Sequence, residues 1–430
     1  MTVSDTRTDA LEELRWRGLV AISTDEAELA SSLASGPVTY YCGFDPTAPS
    51  LHIGNLLQLL TMRRLQDAGH RPLALVGGAT GLIGDPRMSG ERVLNDPATV
   101  AGWVDRIRAQ VERYLVFDGP NGATVVNNLD WTAPLSAIDF LRDVGKHFRV
   151  NRMLAKEAVS ARLESEAGIS FTEFSYQILQ GMDFLELHRR HGCTLQTGGS
   201  DQWGNLTAGT DLIHRVEGRS VHALATPLVT KADGTKFGKT ESGTVWLDPS
   251  MTSPYAFYQF WLNAEDAMVA QYLRYFTFRT GDEIAELERA TTERPAAREA
   301  QRALASDVTD LVHGEPARRR VEDASRALFG RGDLAALDAA VLGDAVAELP
   351  TTVAARGSHP VVDLLAATGL VASKSAARRT IAEGGAYVNN AKVEDEDAVV
   401  GPDQALHGRW LVVRRGRRSL AAVDLAADAV

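Results

Sequence analysis

Apolar and polar positions along the first half of the chain switch between a two-residue and a helical period, and the switches mark a repeating strand–helix unit. Val38-Thr39-Tyr40-Tyr41 is a β-prone run bounded by Gly36-Pro37 and Gly43. Ile53, Leu56, Leu57 and Leu60 then recur at helical spacing, with Ser50 as the expected N-cap and Gly69 as the stop. Leu73-Ala74-Leu75-Val76 is a short unbroken apolar run, suited to a strand buried on both faces. Thr124-Val125-Val126 and Thr194-Leu195-Gln196-Thr197 are further candidate strands, each followed by a loop and a helical pattern. This alternation predicts a doubly wound α/β domain with a parallel sheet, whose ligands gather beyond the carboxyl ends of the strands.

One helical pattern, from about Phe171 to Arg190, carries more than packing. Ser170 and Glu173 have capping-box spacing, and Phe174, Ile178, Leu179, Met182 and Leu185 supply an apolar face. Tyr176, Gln180 and Asp183 fall within a narrow sector, because successive residues turn by ~100°. A solvated face would more usually carry lysine and glutamate there. A pocket wall is the expectation, weighed against a polar edge of the core; a phenol, an amide and a carboxylate could together hold an amino acid.

Composition narrows the classes. With 430 residues and 44% hydrophobic content, the chain can bury a substantial core and should form two to three domains. A net charge of -11 argues against indiscriminate coating of nucleic acid, so any basic surface must be local. Cys42 and Cys193 make neither a disulfide framework nor a Cys-x-x-Cys metal spacing, which fits a reducing compartment. No signal-peptide pattern and no apolar run of membrane-spanning length is present in the sequence, so a cytoplasmic protein with no membrane partner is expected.

Candidate chemistry falls at the strand ends. With Ser50 as cap, His52 would lie in the first turn of its helix, where unpaired N–H groups and the helix dipole favour an anion. Gly54 would let a flat group such as adenine approach the backbone closely. Taken alone, His52-Ile53-Gly54-Asn55 fits a surface histidine beside an incidental glycine better. The stretch from Gly77 to Pro86 lacks both the dinucleotide fingerprint and the Walker A spacing, and reads equally as a packing turn or a ligand loop, with Asp85 the residue that would decide. In Gly198-Gly199-Ser200-Asp201-Gln202-Trp203, Asp201 suits a ribose hydroxyl and Gln202 a carboxylate or amine. The loop Lys231 to Thr240 is by composition a solvated surface loop; its lysines would also suit a pyrophosphate leaving group, whose charge grows in the transition state.

Together these segments resemble the bacterial tyrosyl-tRNA synthetases, a class I aminoacyl-tRNA synthetase family. The resemblance rests on Tyr40 to Thr47, His52 to Asn55, Gly77 to Pro86, Ser175-Tyr176-Gln177 with Gln180 and Asp183, Gly198 to Trp203, and Lys236 to Thr240. It continues through Ser253 to Trp261 and Leu311-Val312-His313-Gly314. The fold it implies is a Rossmann-like catalytic domain over residues 1–248, an α-helical anticodon-region domain over 249–347, a linker over 348–360, and a small α+β RNA-binding domain over 361–430, similar to a small-subunit ribosomal protein of the S-four type. The implied reaction joins L-tyrosine to ATP as tyrosyl-adenylate and passes it to tRNA, in a homodimer, with Mg2+ carried on the ATP phosphates. Tyr41 and Asp183 would bind the substrate hydroxyl, and Tyr176, Gln180 and Asp85 its ammonium group. Gln202 would lie near the carboxylate and Gln196 beside the pocket. Gly43, Asp45, Gly54, Gly199 and Asp201 would line the adenosine site. Thr47, His52 and Asn55 would meet the polyphosphate, and Lys236, Lys239 and Thr240 would grip pyrophosphate.

Lys374, Arg378 and Arg379 lie on a predicted helix before Gly384-Gly385 and the strand Ala386-Tyr387-Val388, and five arginines fall between Arg409 and Arg418. Their clustering suggests an RNA face, set against a solvated basic edge that Glu394 to Asp397 offset. Two departures from the family pattern stand out. Asn55 replaces the second histidine of the commonest signature. Arg87-Met88-Ser89-Gly90 replaces a Ser-Gly-Lys sequence, which leaves Arg87 or Arg92 as the accessory cation. Two other readings are a related tryptophanyl-tRNA synthetase and a non-catalytic RNA-binding paralogue. Asp183 opposite Tyr41 suits a phenol better than an indole, and intact His52, Asp85 and Lys239 suit an ATP site.

Overall fold

Six strands build the sheet that the sequence pattern predicts. In the computed structural model, which describes residues 9–85, 94–154, 157–164, 168–240, 243–330, 332–416 and 419–425, these are β1 (Ile22–Ser23), β2 (Thr39–Phe44), β3 (Arg71–Val76), β4 (Thr124–Asn127), β5 (Leu195–Gly199) and β6 (His222–Thr226). They lie in the order β1-β6-β5-β2-β3-β4. All neighbours run parallel except β1 against β6. The chain winds from β2 through β3 to β4 on one side and from β5 to β6 on the other. The order therefore reverses between β2 and β5, where a doubly wound sheet opens a crevice.

The register decides which side chains reach that crevice. Tyr41 pairs with Gln196 of β5 and Leu73 of β3, so all three point to one face. Tyr41 and Leu73 share a core with Ile178, Met182 and Phe184 of the long helix Phe171–His191. Tyr40 points the other way and donates its hydroxyl to the Met62 carbonyl of α1 (Ile53–Asp67). Ser50 does not cap α1. His52 is the N-cap, its Nδ1 accepting from the Gly54 N–H at 3.1 Å, while Asn55 Oδ1 accepts from the His52 N–H at 3.1 Å. Ser50 is buried instead, bonded to the Leu51 carbonyl and to the Asp248 N–H. The histidine thus sits at the helix entrance rather than within the first turn.

Helix α2 (Phe171–His191) has Ser170 as its N-cap. Only half of the expected capping box forms: Ser170 Oγ accepts from the Glu173 N–H, but the Glu173 carboxylate lies 3.0 Å from Arg162, with both side chains buried. Helix α3 (Trp203–Glu217) packs along α2 between β5 and β6 in the chain, and farther on β7 (Lys239–Thr240) pairs antiparallel with β8 (Gly243–Thr244).

The chain divides into two compact units, Met1–Asp248 with Glu265–Arg289, and Pro249–Ala264 with Ala290–Val430. The expected helical domain over 249–347 is therefore not one piece, because residues 265–289 return to the first unit. Two buried cations hold them there. Arg64 Nη2 donates to the carbonyls of Tyr275 and Thr277 at 3.0 and 2.7 Å, and Arg17 donates to those of Arg274, Thr277 and Arg279. These carbonyls end or follow helix α4 (Val269–Phe276), and cations favour that pole of a helix.

In the second unit, the helix Pro254–Leu262 packs against α5 (Glu299–His313), with the Phe257 and His313 rings edge to face at 4.8 Å. Residues 348–360, expected as a linker, instead carry strands. β9 (Thr351–Val353) joins a five-stranded sheet, running parallel to β15 (Ser419–Asp424), and β10 (His359–Pro360) pairs with β13 (Val399–Val400). Three β-branched residues, Thr351-Thr352-Val353, supply the strand propensity that Pro350 and the later glycine obscured. The remaining strands of the larger sheet are β11 (Ala386–Val388), β12 (Ala391–Lys392) and β14 (Trp410–Arg415).

Candidate active site

A cavity of about 480 Å³ opens at the switch point, walled by the ends of β2 and β5, the start of α1 and one face of α2. Tyr41, Gly43, Asp45, Thr47, His52, Gly54, Asn55 and Asp85 line it from the first half of the chain. Tyr176, Gln180, Asp183, Gln196, Gly199, Asp201, Gln202 and Lys236 line it from the second. Residues far apart in sequence thus converge where the topology places them. The side chains of Lys239 and Thr240 lie outside the described residues, as do Arg87 and Arg92.

The inner end is built around Asp183, which is 2% exposed. Its Oδ1 accepts from Trp131 Nε1 at 2.9 Å and its Oδ2 from Asn128 Nδ2 at 3.0 Å. Burial pushes its pKa up to about 7 against those two hydrogen bonds, which pull it down, with Asp45 and Glu186 adding repulsion. Burial, and then Asp183, holds the Tyr41 hydroxyl well above the usual phenol range, so it is a neutral donor. Tyr41 OH, Gln180 Oε1 and Gln196 Oε1 are buried and have no hydrogen-bond partner among the described residues. Buried polar atoms left open around one cavity mark a place for a polar ligand.

A chain of hydrogen bonds leads from this end toward the mouth. Asn128 Nδ2 also donates to Thr80 Oγ1, Thr80 donates to Asp45 Oδ1 at 2.6 Å, and Tyr176 donates to Asp45 Oδ2 at 2.6 Å. Gly77 permits this: a Cβ there would stand 2.2 Å from both Asp45 Oδ1 and Thr80 Oγ1. The glycine stretch after β3 thereby serves packing and site together. Farther along, Gln202 Nε2 and Asn205 Nδ2 donate to the two oxygens of Asp85 at 3.2 and 3.3 Å, and Asn205 also donates to Gln202 Oε1. Asp85 and Gln202, expected to face different groups of one substrate, are bonded to each other.

The mouth joins the two signature segments through backbone. His52 bridges Trp246, the Ile53 N–H donates to the Val245 carbonyl, and the Val245 N–H donates to the Gly238 carbonyl at 3.0 Å. Gly238 has φ +90, where a side chain would be strained, and a Cβ there would lie 3.5 Å from Ile53. The base of the lysine loop is fixed as well. Phe237 stacks on Tyr272 of α4 with centroids 4.2 Å apart, and Tyr272 donates its hydroxyl to the Thr230 carbonyl at 2.7 Å. Asn55 spends its side-chain oxygen on the His52 N–H, which leaves Nδ2 as the donor it can offer a ligand.

Asn128, Trp131, Thr80 and Asn205 were not singled out by sequence. Asn128 and Trp131 follow directly on β4, so the rule that ligands gather at strand carboxyl ends could have found them. Neither Thr80 nor Asn205 carries a comparable local signal.

In the second unit, Arg378 and Arg379 are exposed on α6 (Lys374–Ala382), whose Ala377 and Ile381 are buried, and Lys374 pairs with Asp363 at 2.8 Å. The arginine cluster nearer the C-terminus is partly structural. Arg409 forms a two-pronged pair with Asp424, at 2.9 and 2.7 Å, and Arg414 is buried with its guanidinium 4.0 Å from the Tyr387 ring centre. Arg417 and Arg418 lie outside the described residues.

Residues 33–330 match the family of class I tRNA synthetases (W and Y), and residues 342–423 match the tyrosine–tRNA ligase SYY-like C-terminal domain. A tyrosine–tRNA ligase of Streptomyces avermitilis is 68% identical over 419 residues, covering 97% of this chain and 99% of its own. One of Acidothermus cellulolyticus is 62% identical, covering 97% and 100%. Among solved structures, a C-terminally truncated mitochondrial tyrosyl-tRNA synthetase of Aspergillus nidulans superposes with a TM-score of 0.68 at 29% identity, covering 76% of this chain and 95% of its own. The chain belongs to the tyrosine–tRNA ligase family of class I tRNA synthetases.

Proposed function

We propose that the cavity activates L-tyrosine with ATP, releasing pyrophosphate, and that the tyrosyl group then passes to the terminal adenosine of tRNA. The observation that carries this reading is the inner end of the cavity. A carboxylate poised near pH 7 faces a space edged by a neutral phenol and two amide oxygens, all three without partners among the described residues. A substrate phenol satisfies them: its hydroxyl donates to Asp183 and accepts from Tyr41, while Gln180 and Gln196 stand ready to accept from its ammonium group. An indole offers a donor and no acceptor, which would leave the Tyr41 hydroxyl open.

The first step needs no general base. The tyrosine carboxylate is ionised at neutral pH and attacks the α-phosphate once it is aligned and the charges are screened. The α1 entrance with His52, Gly54 and the Asn55 amide, together with Thr47, would hold the polyphosphate, and the lysine loop would take up charge developing on pyrophosphate. Gly43, Gly199 and Asp201 would receive the adenosine; Gly199 lets the Asp201 carboxylate fold back to within 2.6 Å of where a Cβ would stand. Mg2+ would enter with ATP, bound by phosphate oxygens and water. Amino-acid-dependent exchange of pyrophosphate into ATP, run across all twenty amino acids, tests the reading. Tyrosine should give the signal; a stronger signal with tryptophan or another amino acid would overturn it.

Asn128→Ala provides a finer check. It removes a hydrogen bond that holds the Asp183 carboxylate charged, so the pH below which tyrosine binding weakens should move upward. A tyrosine Kd measured from pH 6 to pH 9 should show the break displaced by about one pH unit, as expected for the loss of one hydrogen bond to a charged group.

Lys374, Arg378 and Arg379 are proposed to contact tRNA phosphates, supported by the exposure of both arginines on one helix. A chain ended after residue 347, ahead of β9, should keep pyrophosphate exchange and lose most tRNA charging; full charging would remove the C-terminal sheet from the reaction. A homodimer is also proposed. Ile138, Leu141, Val150 and Phe171 are large apolar side chains left exposed within one stretch of the first unit, Phe171 at 72%, and such clustering suits burial against a second copy. No helix among the described residues is long and apolar enough to cross a membrane, and a cytoplasmic location is proposed from the two free cysteines and the tRNA substrate.

A further inference from the structure

A second cavity, of about 190 Å³, lies against a different face of α2 from the one that lines the activation site. Its floor is Gln177, the residue after Tyr176, and its apolar walls are Phe148, Met153 and Leu212. Phe148 approaches α2 closely because residue 181 is glycine: a Cβ there would stand 2.9 Å from the ring. The space suits one aromatic ring with a small substituent, since a dry apolar cavity of ~150 Å³ is enough to hold benzene.

Two features say what the substituent is. Gln177 is 5% exposed, yet neither its Oε1 nor its Nε2 has a hydrogen-bond partner among the described residues. A buried amide open at both ends is rare in a folded protein. The rim is cationic. The lining carries Arg149, Arg152 and Arg215 against a single carboxylate, Asp211, which lies 3.7 Å from both Arg152 and Arg215. Arg149 has no acidic partner among the described residues. The surplus is felt by His147 on the same rim, whose pKa is lowered first by burial and then by Lys146, Arg215 and Arg149.

We propose that this cavity is a ligand site, separate from the activation cavity, that takes a monocyclic aromatic carboxylate, with Gln177 Nε2 and Arg149 donating to the carboxylate oxygens and Phe148, Met153 and Leu212 holding the ring. None of these five residues lines the activation cavity. The site therefore does not depend on which amino acid that cavity activates.

Benzoate is a suitable probe, titrated by calorimetry into the full-length protein saturated with L-tyrosine. One saturable site per chain is expected, weakened at least tenfold by Gln177→Leu and by Arg149→Ala, with the melting temperature of the Arg149→Ala protein unchanged. Gln177 is buried, so its variant is read only if it melts like the parent; Arg149 is exposed and keeps the test open otherwise. Three results would overturn the proposal: no saturable binding, binding that tyrosine competes away, or binding that neither substitution alters. A change of oligomeric state in Arg149→Ala without loss of benzoate binding would instead assign the cavity to a contact between copies.

Discussion

Replacing Asp183 by asparagine should lower kcat/KM for tyrosine in pyrophosphate exchange by on the order of 100-fold, while any residual turnover of phenylalanine changes little. The carboxylate already accepts from Trp131 and Asn128, and the proposed substrate hydroxyl would be a third donor. An asparagine has one acceptor oxygen and an NH2 that must face at least one of those donors. Leaving a buried donor unpaired costs about 1–3 kcal/mol, and more where the lost partner was charged. Phenylalanine never uses the missing bond, so the ratio of the two substrates is the informative quantity. Unchanged discrimination would remove Asp183 from the hydroxyl site.

The same residue fixes a pH dependence. With its pKa raised to about 7, Asp183 is charged above that value and protonated below it. Only the charged form offers two acceptor oxygens to all three donors, so the KM for tyrosine should rise as pH falls through 7, and Asp183→Asn should flatten that rise. Folding stability runs the other way. A carboxyl with a folded pKa above its unfolded value favours the fold when protonated, so its contribution declines as pH climbs from the ordinary carboxylate range to about 7 and is least above it. Substrate recognition here is maintained at some expense to the ligand-free protein.

Lys239→Ala should cut the rate of adenylate formation by ~10²- to 10³-fold, the scale on which loss of one transition-state charge contact is usually felt, with the tyrosine Kd nearly unchanged. Charge builds on pyrophosphate only as it leaves, so a loop lysine acts late in the step. Lys236 lines the cavity, and the loop base is pinned by Phe237 on Tyr272 and by the Gly238 carbonyl. The lysines are thus presented from a fixed frame. Single-turnover measurement of adenylate formation, with tyrosine binding followed by fluorescence, separates the two quantities; equal losses in both would contradict a transition-state role.

Much of this was legible in the sequence because period and motif pointed to the same places. The strand runs at Val38, Leu73, Thr124 and Thr194 lie within or beside β2, β3, β4 and β5, and Tyr176, Gln180 and Asp183 proved to share one wall because helical spacing is nearly invariant. The partners of those residues were harder to see. Asn128 and Trp131 reach Asp183 only because β4 lies two strands from β2, and strand order leaves no local mark. The misplaced cap followed from a rule that ranks serine above histidine, which knew nothing of Gln110 and Asp248 drawing Ser50 into the interior. Linker and helical-domain boundaries failed for a related reason. Proline and glycine near residue 350 signalled a break, whereas sheet pairing with β15, 71 residues on (Thr351 with Ala422), decided the outcome.

The return of residues 265–289 to the first unit bears on how the chain is made. Arg17 and Arg64 are synthesised early, yet the carbonyls that receive them belong to residues 274–279. Until that stretch emerges from the ribosome, Arg64 lacks the carbonyls that receive it and Arg17 has Glu13 but none of its carbonyl acceptors. Burial, and then repulsion from Arg17, pulls the Arg64 pKa down to about 9 even with its acceptors in place. Folding of the first unit should therefore complete only after residues 249–264, which belong to the other unit, have already been translated. A fragment ending at residue 248 would stall in that unfinished state, whereas one ending at 289 would carry its own closing piece.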